Sequence, residues 1–197
     1  MTFRLGLTGS IGMGKSTTAR LFADQGCAVW DADAAVHRLY QKGGAAIAPM
    51  AQVFPDAIVD GAVSRDTLKA IIARDPSALK QIESIVHPLL GADRASFVEN
   101  STSDILVFDI PLLFETGGQT RMDAVVCVSA PPEVQKERVM ARGTMTEAQF
   151  AHILSKQMPD AEKQSRSDFV IVTDTVEHVE QQVRDVVTQI RNRMKNA

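Results

Sequence analysis

The stretch Gly9-Ser10-Ile11-Gly12-Met13-Gly14-Lys15-Ser16 matches the pattern Gly-x-x-x-x-Gly-Lys-Ser/Thr at every defined position. It follows Phe3–Thr8, an apolar run of strand length, and it precedes Thr17–Ala23, which has the composition of a helix. A strand, a glycine-rich loop and a helix in this order form the setting in which the pattern binds phosphate. The alternative is a glycine-rich turn that only joins the strand to the helix, and the complete pattern with its flanks disfavours it.

Each part of this loop has a chemical task. Glycines at 9, 12 and 14 carry no side chain, so successive backbone N–H groups can surround phosphate oxygens. A helix that begins near Lys15 adds unpaired N–H groups and the positive end of its dipole. Lys15 supplies a charge for the β and γ phosphates, and the Ser16 hydroxyl is a ligand for Mg²⁺. The predicted contacts of the nucleotide are Gly9, Gly12, Met13, Gly14, Lys15, Ser16 and Thr17.

Composition limits the remaining choices. The 197 residues, 45% of them hydrophobic and 23% charged, suffice for one α/β core with a modest insertion. A net charge of −3 argues against a general nucleic-acid binder, because such proteins usually carry a basic face. The two cysteines, Cys27 and Cys127, lie in apolar segments and suit a reducing cytosol.

The sequence shows neither a signal peptide nor a membrane-spanning segment. Cleavage of a signal peptide would destroy the loop that begins at Gly9, so none is expected. The longest apolar stretch, Ile105–Phe114, contains Asp109 and is too short to span a membrane. We therefore expect a cytoplasmic protein with no membrane partner.

Two acids follow the second predicted strand. Cys27–Trp30 reads as a buried strand and runs directly into Asp31-Ala32-Asp33. Ligands of open parallel sheets bind beyond the carboxyl ends of the strands, which puts these acids near the phosphate loop. Either acid could instead cap the following helix, Ala34–Gln41. Capping needs only one carboxylate, so we expect at least one of the two to be catalytic.

Residues 43–100 contain no convincing strand of the parallel type. Gly43-Gly44 and Pro55-Asp56 are turn signals, and the remainder has helical character. Pro88 disfavours the α conformation at His87, which predicts that one helix ends there and another begins. The block is longer than a crossover between strands requires. We predict a helical, substrate-binding insertion over residues 43–100.

This insertion carries candidate binding residues. Arg65 and Lys69 lie one helical turn apart, and Arg74 follows them. Basic side chains of this kind are usually solvated surface groups, which is the alternative for each of them. His87 has two interpretations as well, a ligand-binding group or a residue at a structural break.

The clearest buried strand is Ile105–Asp109, an apolar run closed by an acid. A carboxylate at the carboxyl edge of the sheet can hold Mg²⁺ or accept a hydrogen bond from a substrate hydroxyl. The alternative is a cap of the next turn. We favour a functional role for Asp109, because an ionised group that closes a buried strand is costly without a partner.

A pair of arginines follows the fourth predicted strand, Ala124–Val128. Arg138 and Arg142 are four residues apart on one predicted helix, which Gly143 ends, and Thr146–Gln149 has the sequence of a capping box for the next helix. Two helices with arginines near a short hinge are typical of a lid over phosphates, here residues 131–164. The alternative is a pair of solvated arginines.

The chain then supplies a fifth strand, Phe169–Val172, and an amphipathic helix with apolar positions from Val176 to Met194. The pattern as a whole predicts an α/β protein with a five-stranded parallel sheet flanked by helices. The predicted core comprises residues 1–42, 101–130 and 165–197.

Several separate segments, in order along most of the chain, resemble the dephospho-CoA kinases, a family of P-loop kinases. The phosphate loop alone is unspecific, but its combination with the acid pair, the His-Pro dipeptide and the segment that closes the third core strand is highly specific. The matching segments are Leu7–Thr17, Asp31-Ala32-Asp33, Ser64–Leu68, Ile85–Leu89, Asp109-Ile110-Pro111-Leu112-Leu113-Phe114-Glu115 and Gln135–Arg142.

The resemblance implies a P-loop NTPase fold and transfer of the γ-phosphoryl group of ATP, with Mg²⁺, to the ribose 3′-hydroxyl of dephospho-CoA. It implies that Asp33 is the general base and that Lys15, Arg138 and Arg142 assist catalysis. It assigns the acceptor site to Thr8, Asp33, Arg65, His87, Pro88 and Asp109, and the metal site to Ser16 and Asp109.

Two positions depart from the family pattern. Met13 stands where a small residue is usual, which the site should tolerate because the backbone binds the phosphates. Val172-Thr173-Asp174-Thr175 lacks the Asn and Gly often found after the last strand, a segment that contacts adenine in the family.

Two other functions remain open at this point. One is a different small-molecule P-loop kinase, of the nucleoside monophosphate or shikimate type, against which the long insertion argues mildly. The other is a nucleotide-gated switch, but the Asp-x-x-Gly and Asn-Lys-x-Asp patterns of GTPases are not found in the expected places.

Overall fold

The structure is a computed structural model that describes residues 2–196. The chain divides into two compact units. The core unit comprises the residues up to Trp30 and those from Ser101 onwards, and the insertion unit comprises Asp31–Asn100.

A five-stranded parallel sheet forms the centre of the core unit, with the strand order β2-β5-β1-β6-β7. The five strands are β1 (Phe3–Thr8), β2 (Ala28–Asp31), β5 (Ile105–Asp109), β6 (Ala124–Ser129) and β7 (Phe169–Val172), while β3 and β4 belong to the insertion unit. All five predicted strands are confirmed, with bounds that differ by at most one residue. The predicted fold class, α/β with a parallel sheet flanked by helices, is therefore confirmed.

The register of the central strands brings their ends to one edge of the sheet. Leu7 of β1 lies opposite Asp109 of β5, and Thr8 lies opposite Cys127 of β6. Leu5 and Leu7 have no exposed surface, because β1 has a strand on each side and helices over its faces. The loop that follows β1 and the carboxylate of Asp109 at the end of β5 consequently lie beside each other at this edge of the sheet.

Helices of the core unit surround this sheet. The long C-terminal helix has a fully buried face that includes Val183 and Ile190, and it packs on the first helix and on β7. Its amphipathic pattern is confirmed, although Val176 at its start is 54% exposed. The helices are α1 (Lys15–Asp24), α6 (Pro132–Ala141), α7 (Glu147–Lys156), α8 (Asp160–Ser165) and α9 (Val176–Lys195), with a short 3-10 helix at Gly118–Arg121.

The insertion unit has its own hydrophobic cluster, which includes Leu39, Met50, Leu68 and Val86. Its elements are α2 (Ala32–Tyr40), α3 (Ile47–Val53), a 3-10 helix (Pro55–Ala57), β3 (Ile58–Val59), β4 (Ala62–Val63), α4 (Arg65–Arg74) and α5 (Ala78–Asn100). The unit starts at Asp31 rather than at the expected residue 43, because α2 packs on α5 and contributes Leu39 to the cluster.

The hairpin formed by β3 and β4 was not predicted, since the sequence analysis assigned this region to turns and helices. The two strands pair antiparallel, with Ile58 opposite Val63. Asp60 and Gly61 both have positive φ angles, of 51° and 78°. Two such residues between short strands are typical of a type I′ hairpin turn, for which Asp-Gly is a strong sequence signal.

The predicted helix break at His87 and Pro88 is wrong. One helix, α5, continues through Pro88 from Ala78 to Asn100. The apolar face explains its continuity: Ile82 and Val86 before the proline and Leu89 and Leu90 after it pack in the same cluster. A proline removes a single N–H donor from the helix, whereas a break would remove one side of this packing.

Among the helices of residues 2–196, none combines the length and hydropathy that a membrane-spanning helix requires.

Replacement of Pro88 by alanine tests the cost of this proline. Pro88 is exposed in the interior of α5, so Pro88→Ala should raise the free energy of unfolding by about 1–3 kcal/mol. Urea denaturation gives this value, with Ser84→Ala on the same exposed helix surface as the control, expected to change it by about 0.5 kcal/mol or less. A lower stability for Pro88→Ala would show that the proline does not strain the helix.

Candidate active site

The phosphate loop requires glycine at two positions because of their backbone conformation, and at one of them also for lack of space. Gly12 and Gly14 have φ angles of 79° and 91°, in the left-handed region that side chains disfavour. A Cβ atom on Gly12 would also lie 2.5 Å from Cγ2 of Val139 on α6. Substitution at Gly12 would therefore strain the backbone and displace a packed helix.

The loop leads into the N-terminus of α1, where Gly14 is the N-cap and Lys15 the first residue. The first N–H groups of a helix have no intrahelical partner. The first turn of α1 contains no acidic residue that would itself neutralise the positive end of the helix. Ser16 and Thr17 are exposed there. This end of the helix is suited to an anion.

Lys15 pairs with Asp109, and these two predicted site residues are thus brought together. The Nζ atom of Lys15 donates a hydrogen bond to Oδ1 of Asp109, whose side chain is 3% exposed. The pair offsets the cost of a buried carboxylate at the end of β5. It also holds the ammonium group beside the loop.

A cleft of about 220 Å³ adjoins the loop on the core unit. Arg138 and Arg142 both line it, together with Gly14 and Thr17, so the predicted pair of arginines does share a surface with the nucleotide loop. Other lining residues are Thr18, Thr173, Asp174, Thr175, Val176 and Val179.

Thr173 links three parts of this cleft. Its hydroxyl donates to the carbonyl oxygen of Met13 in the loop, at 2.8 Å. Arg138 donates to the same hydroxyl at 2.7 Å and to the Thr173 carbonyl oxygen at 2.6 Å. Arg138 is thus held in place, whereas Arg142 is exposed. The segment after β7, which departs from the family pattern, thus contributes Thr173, whose contacts join the loop to α6.

Met13 and Thr8 are both inside the core unit. The side chain of Met13 is 2% exposed, and its sulfur accepts a hydrogen bond from the backbone N–H of Ala130. Thr8 has no exposed surface, and its hydroxyl donates to the carbonyl oxygen of Pro111. These contacts fix both ends of the loop.

In the insertion unit, the two acids have different surroundings. Oδ1 of Asp31 accepts the N–H of Ala34 at 3.0 Å and so caps α2. Asp33 is exposed in the first turn of the same helix. Asp31 therefore serves as the cap of α2, and Asp33 is not needed for that role.

The other predicted acceptor residues lie on two helices of the insertion unit. Arg65 begins α4 and its guanidinium lies 5.8 Å from the ring centre of Tyr40, within cation–π distance. His87 and Pro88 are exposed on α5. The exposed pair Lys69–Asp66, at 3.5 Å, agrees with the solvated interpretation of Lys69.

Sequence reasoning missed a set of polar residues around the loop, of which Gln135 and Lys163 are buried and Gln157 is partly buried. Gln135 of α6 donates to the carbonyl oxygen of Ile11 at 2.7 Å, and Gln157 after α7 accepts the N–H of Ile11 at 3.1 Å. Lys163 of α8 has no exposed side-chain surface and pairs with Glu115 at 3.0 Å. The one available signal was the resemblance of the segment that ends at Glu115.

The surroundings of Glu115 lower the pKa of its carboxyl group. Burial raises its pKa, but hydrogen bonds from the N–H of Met158 and from Lys163 outweigh burial and hold the pKa below the ordinary 4.5. A carboxylate with a lowered pKa stabilises the fold above its ordinary pKa, and this contribution is lost as the pH falls through the lowered value.

This chain is similar to known proteins over nearly its whole length. The sequence model described as Dephospho-CoA kinase matches residues 3–178. A dephospho-CoA kinase of Ruegeria pomeroyi is 73% identical and the alignment covers 97% of each chain.

The chain belongs to the dephospho-CoA kinase family.

Solved structures agree with this fold. The crystal structure of TT1252 from Thermus thermophilus has a TM-score of 0.86 and 30% identity, over 95% of this chain and 97% of that one. A dephospho-CoA kinase from Campylobacter jejuni has a TM-score of 0.70 at 24% identity, over 96% and 98% of the two chains, and this likeness shows the fold alone. Membership of the dephospho-CoA kinase family makes this chain an enzyme, a phosphotransferase, and sets aside the alternatives of a nucleotide-gated switch and of a shikimate-type kinase.

Removal of the buried lysine tests the ion pair. Lys163→Met leaves the Glu115 carboxylate without its cation and should lower the free energy of unfolding at pH 7 by about 3–5 kcal/mol. Urea denaturation measures the loss, and its size should shrink below pH 4.5 as Glu115 becomes protonated. The exposed Lys156→Met is the control on the neighbouring helix. Equal stability of the two variants would contradict the assignment.

Proposed function

We propose that this enzyme transfers the γ-phosphoryl group of ATP to the 3′-hydroxyl of the ribose of dephospho-CoA. The products are coenzyme A and ADP, and the reaction is the last step of coenzyme A biosynthesis. The observation that carries the proposal is the glycine loop before α1 with Lys15 held against Asp109 beside it. The Asp109 side chain is only 3% exposed, so this pair differs from exposed surface ion pairs, which usually contribute little, and this supports a functional role for it.

ATP binds to the core unit in this proposal. Its phosphates lie against the backbone N–H groups of the loop and of the first turn of α1. Its nucleoside occupies the adjoining cleft, which is lined by Gly14, Thr17, Arg138 and Thr173. Lys15 exchanges part of its contact with Asp109 for the β and γ phosphates.

The residues present fit Mg²⁺ bound together with ATP. Mg²⁺ takes one or two protein oxygens and completes its shell with phosphates and water. The Ser16 hydroxyl and the Asp109 carboxylate are donors of this kind, and both lie beside the loop. Within residues 2–196 no group of three or more His, Cys, Asp or Glu could hold a metal, so the site depends on the nucleotide for further ligands. When bound, Mg²⁺ neutralises charge on the β and γ phosphates.

Dephospho-CoA uses groups of the insertion unit. Asp33 accepts a hydrogen bond from the ribose 3′-hydroxyl, orients it, and takes its proton late in the reaction. Arg65 and the His87-Pro88 positions supply further acceptor contacts, and the exposure of Arg65 and His87 makes both available to a polyanionic ligand. Thr8 contributes through its hydrogen bond to Pro111, which supports the end of the loop.

The chemical step is a single displacement at phosphorus. The hydroxyl oxygen of the acceptor forms a bond to the γ phosphorus while the bond from that phosphorus to the β–γ bridging oxygen breaks. The electron pair of the broken bond stays on ADP, and the hydroxyl proton passes to Asp33. Positioning and charge neutralisation supply most of the acceleration in reactions of this kind.

The two arginines have different tasks in this proposal. Arg138 is tied to Thr173 and holds the nucleotide cleft in shape. Arg142 is exposed at the end of α6 and is free to approach the transferred group. An arginine delivered to the developing charge is worth about 10³ to 10⁵ in rate.

The reducing cytoplasm is the compartment we propose for this enzyme. Burial raises the pKa of Cys27 to about 11 and that of Cys127 to about 12, so both thiols stay protonated at neutral pH. Both side chains are buried and free, as suits a protein that uses no disulfide.

A screen of acceptors under saturating Mg·ATP tests the function as a whole. ADP formation is measured with dephospho-CoA, AMP or shikimate as the acceptor. We expect rapid turnover with dephospho-CoA alone. Equal or faster turnover with AMP or shikimate would overturn the proposed acceptor.

Asparagine at position 33 tests the general base. Asp33→Asn keeps the size of the side chain but cannot take a proton, so kcat should fall by about 10²- to 10⁴-fold while ATP affinity is kept. Asp31→Asn is the matched control, because asparagine caps a helix as well as aspartate does. Steady-state kinetics and ATP titration separate the two effects. Wild-type kcat in Asp33→Asn would exclude the role.

Alanine at position 15 tests the phosphate loop. Lys15→Ala removes the charge beside the β and γ phosphates, and kcat/KM for ATP should fall by about 10²- to 10³-fold. Arg20→Ala, an exposed cation on the same helix, serves as the control. An unchanged kcat/KM in Lys15→Ala would show that ATP does not use this loop.

A further inference from the structure

Two glutamine side chains hold the backbone of the phosphate loop at a single residue. Gln135 donates to the carbonyl oxygen of Ile11, and Gln157 accepts its N–H. Ile11 lies directly before Gly12, whose left-handed conformation shapes the loop. With both polar groups of Ile11 bound, rotation of the backbone on either side of it is restricted.

The first glutamine is fixed by its helix. Gln135 is 5% exposed on α6, and its backbone carbonyl oxygen would lie 3.0 Å from a Cβ atom on Gly12. Its side chain therefore reaches Ile11 from a helix that is already packed against the loop.

The second glutamine is fixed by an ion pair between Glu115 and the buried Lys163. Gln157 follows the end of α7, and the next N–H along the chain, that of Met158, donates to Oε1 of Glu115 at 2.7 Å. Glu115 in turn pairs with Lys163, which also donates to the carbonyl oxygen of Pro111 at 2.9 Å. The position of Gln157 thus depends on contacts that Glu115 makes.

We propose that Gln135 and Gln157 are positioning residues that set the phosphate loop for the nucleotide, and that the Lys163–Glu115 pair acts through Gln157. The proposal rests on the proposed binding of ATP by this loop. A loop held in its binding conformation before ATP arrives does not lose backbone freedom at that moment, so the affinity for phosphates rises. Neither glutamine needs to touch the reacting atoms.

The alternative is that Gln157 only satisfies the partly buried N–H group of Ile11 and contributes to stability alone. The two interpretations differ in which nucleotides respond to a substitution. A loop that cradles the β and γ phosphates matters for ATP and ADP and little for AMP. A loss of stability alone would shift the melting temperature and leave the ratio of ATP to AMP affinity unchanged.

Gln157→Ala tests the positioning role in the full-length enzyme. Calorimetric titration should show that ATP and ADP bind about tenfold more weakly, as expected when a polar group loses its partner, while AMP binds as it does to the wild type. In steady state, KM for ATP should rise by the same factor, with kcat and KM for dephospho-CoA nearly unchanged. Ser155→Ala on α7, whose hydroxyl bonds only to the helix carbonyl of His152, is the matched control.

Unchanged or tighter ATP binding in Gln157→Ala would overturn the proposal, and so would an equal loss for ATP and AMP. Titration with ATP needs no acceptor. Failure of the inference can therefore be distinguished from failure of the proposed reaction, which would show as absent phosphorylation of dephospho-CoA by the wild type.

A pair of double variants tests the link from Glu115 to Gln157 without an unpaired buried charge. Glu115→Gln with Lys163→Met keeps an acceptor for the N–H of Met158, whereas Glu115→Leu with Lys163→Met removes it. The first should bind ATP like the wild type, and the second should bind it as weakly as Gln157→Ala. Equal ATP affinity of the two double variants would show that Glu115 does not act through Gln157.

Discussion

The ion pair of Lys15 and Asp109 is the interaction on which the site depends. Lys15 begins α1 and Asp109 ends β5, 94 positions later, and the parallel register that sets Leu7 opposite Asp109 brings them together. A buried carboxylate at a strand end is costly alone, and the lysine offsets that cost. The same contact holds the ammonium group beside the glycine loop. The register of the sheet therefore decides where the principal charge of the site lies.

Around this pair, residues from other parts of the chain hold the phosphate loop in its conformation. Thr173 holds the carbonyl oxygen of Met13, Gln135 and Gln157 hold Ile11, and Val139 packs where a side chain on Gly12 would have to go. A glycine-rich segment is the most flexible kind of chain when it is free. Supporting contacts of this kind convert that freedom into one conformation, which is what a binding site for phosphate needs.

The acid pair shows how a local structure separates two chemically equal candidates. Asp31 is the last residue of β2 and Asp33 lies two positions beyond it, and sequence reasoning left open which one is the cap. The hydrogen bond from Ala34 to Asp31 resolves the capping role and leaves Asp33 exposed in the first helical turn. Asp33 is the acid of the pair that we propose as the general base.

The five strands, the glycine loop and the capping box at Thr146 could all be predicted from local sequence, because each follows from periodicity or backbone demands within a few residues. Tertiary structure alone decided that α5 continues through Pro88, since apolar packing on both sides outweighs a lost donor. It alone paired Ile11 with Gln157, 146 positions away, and Lys163 with Glu115. Buried polar groups take whichever partner the fold brings within reach, and no local pattern encodes that choice.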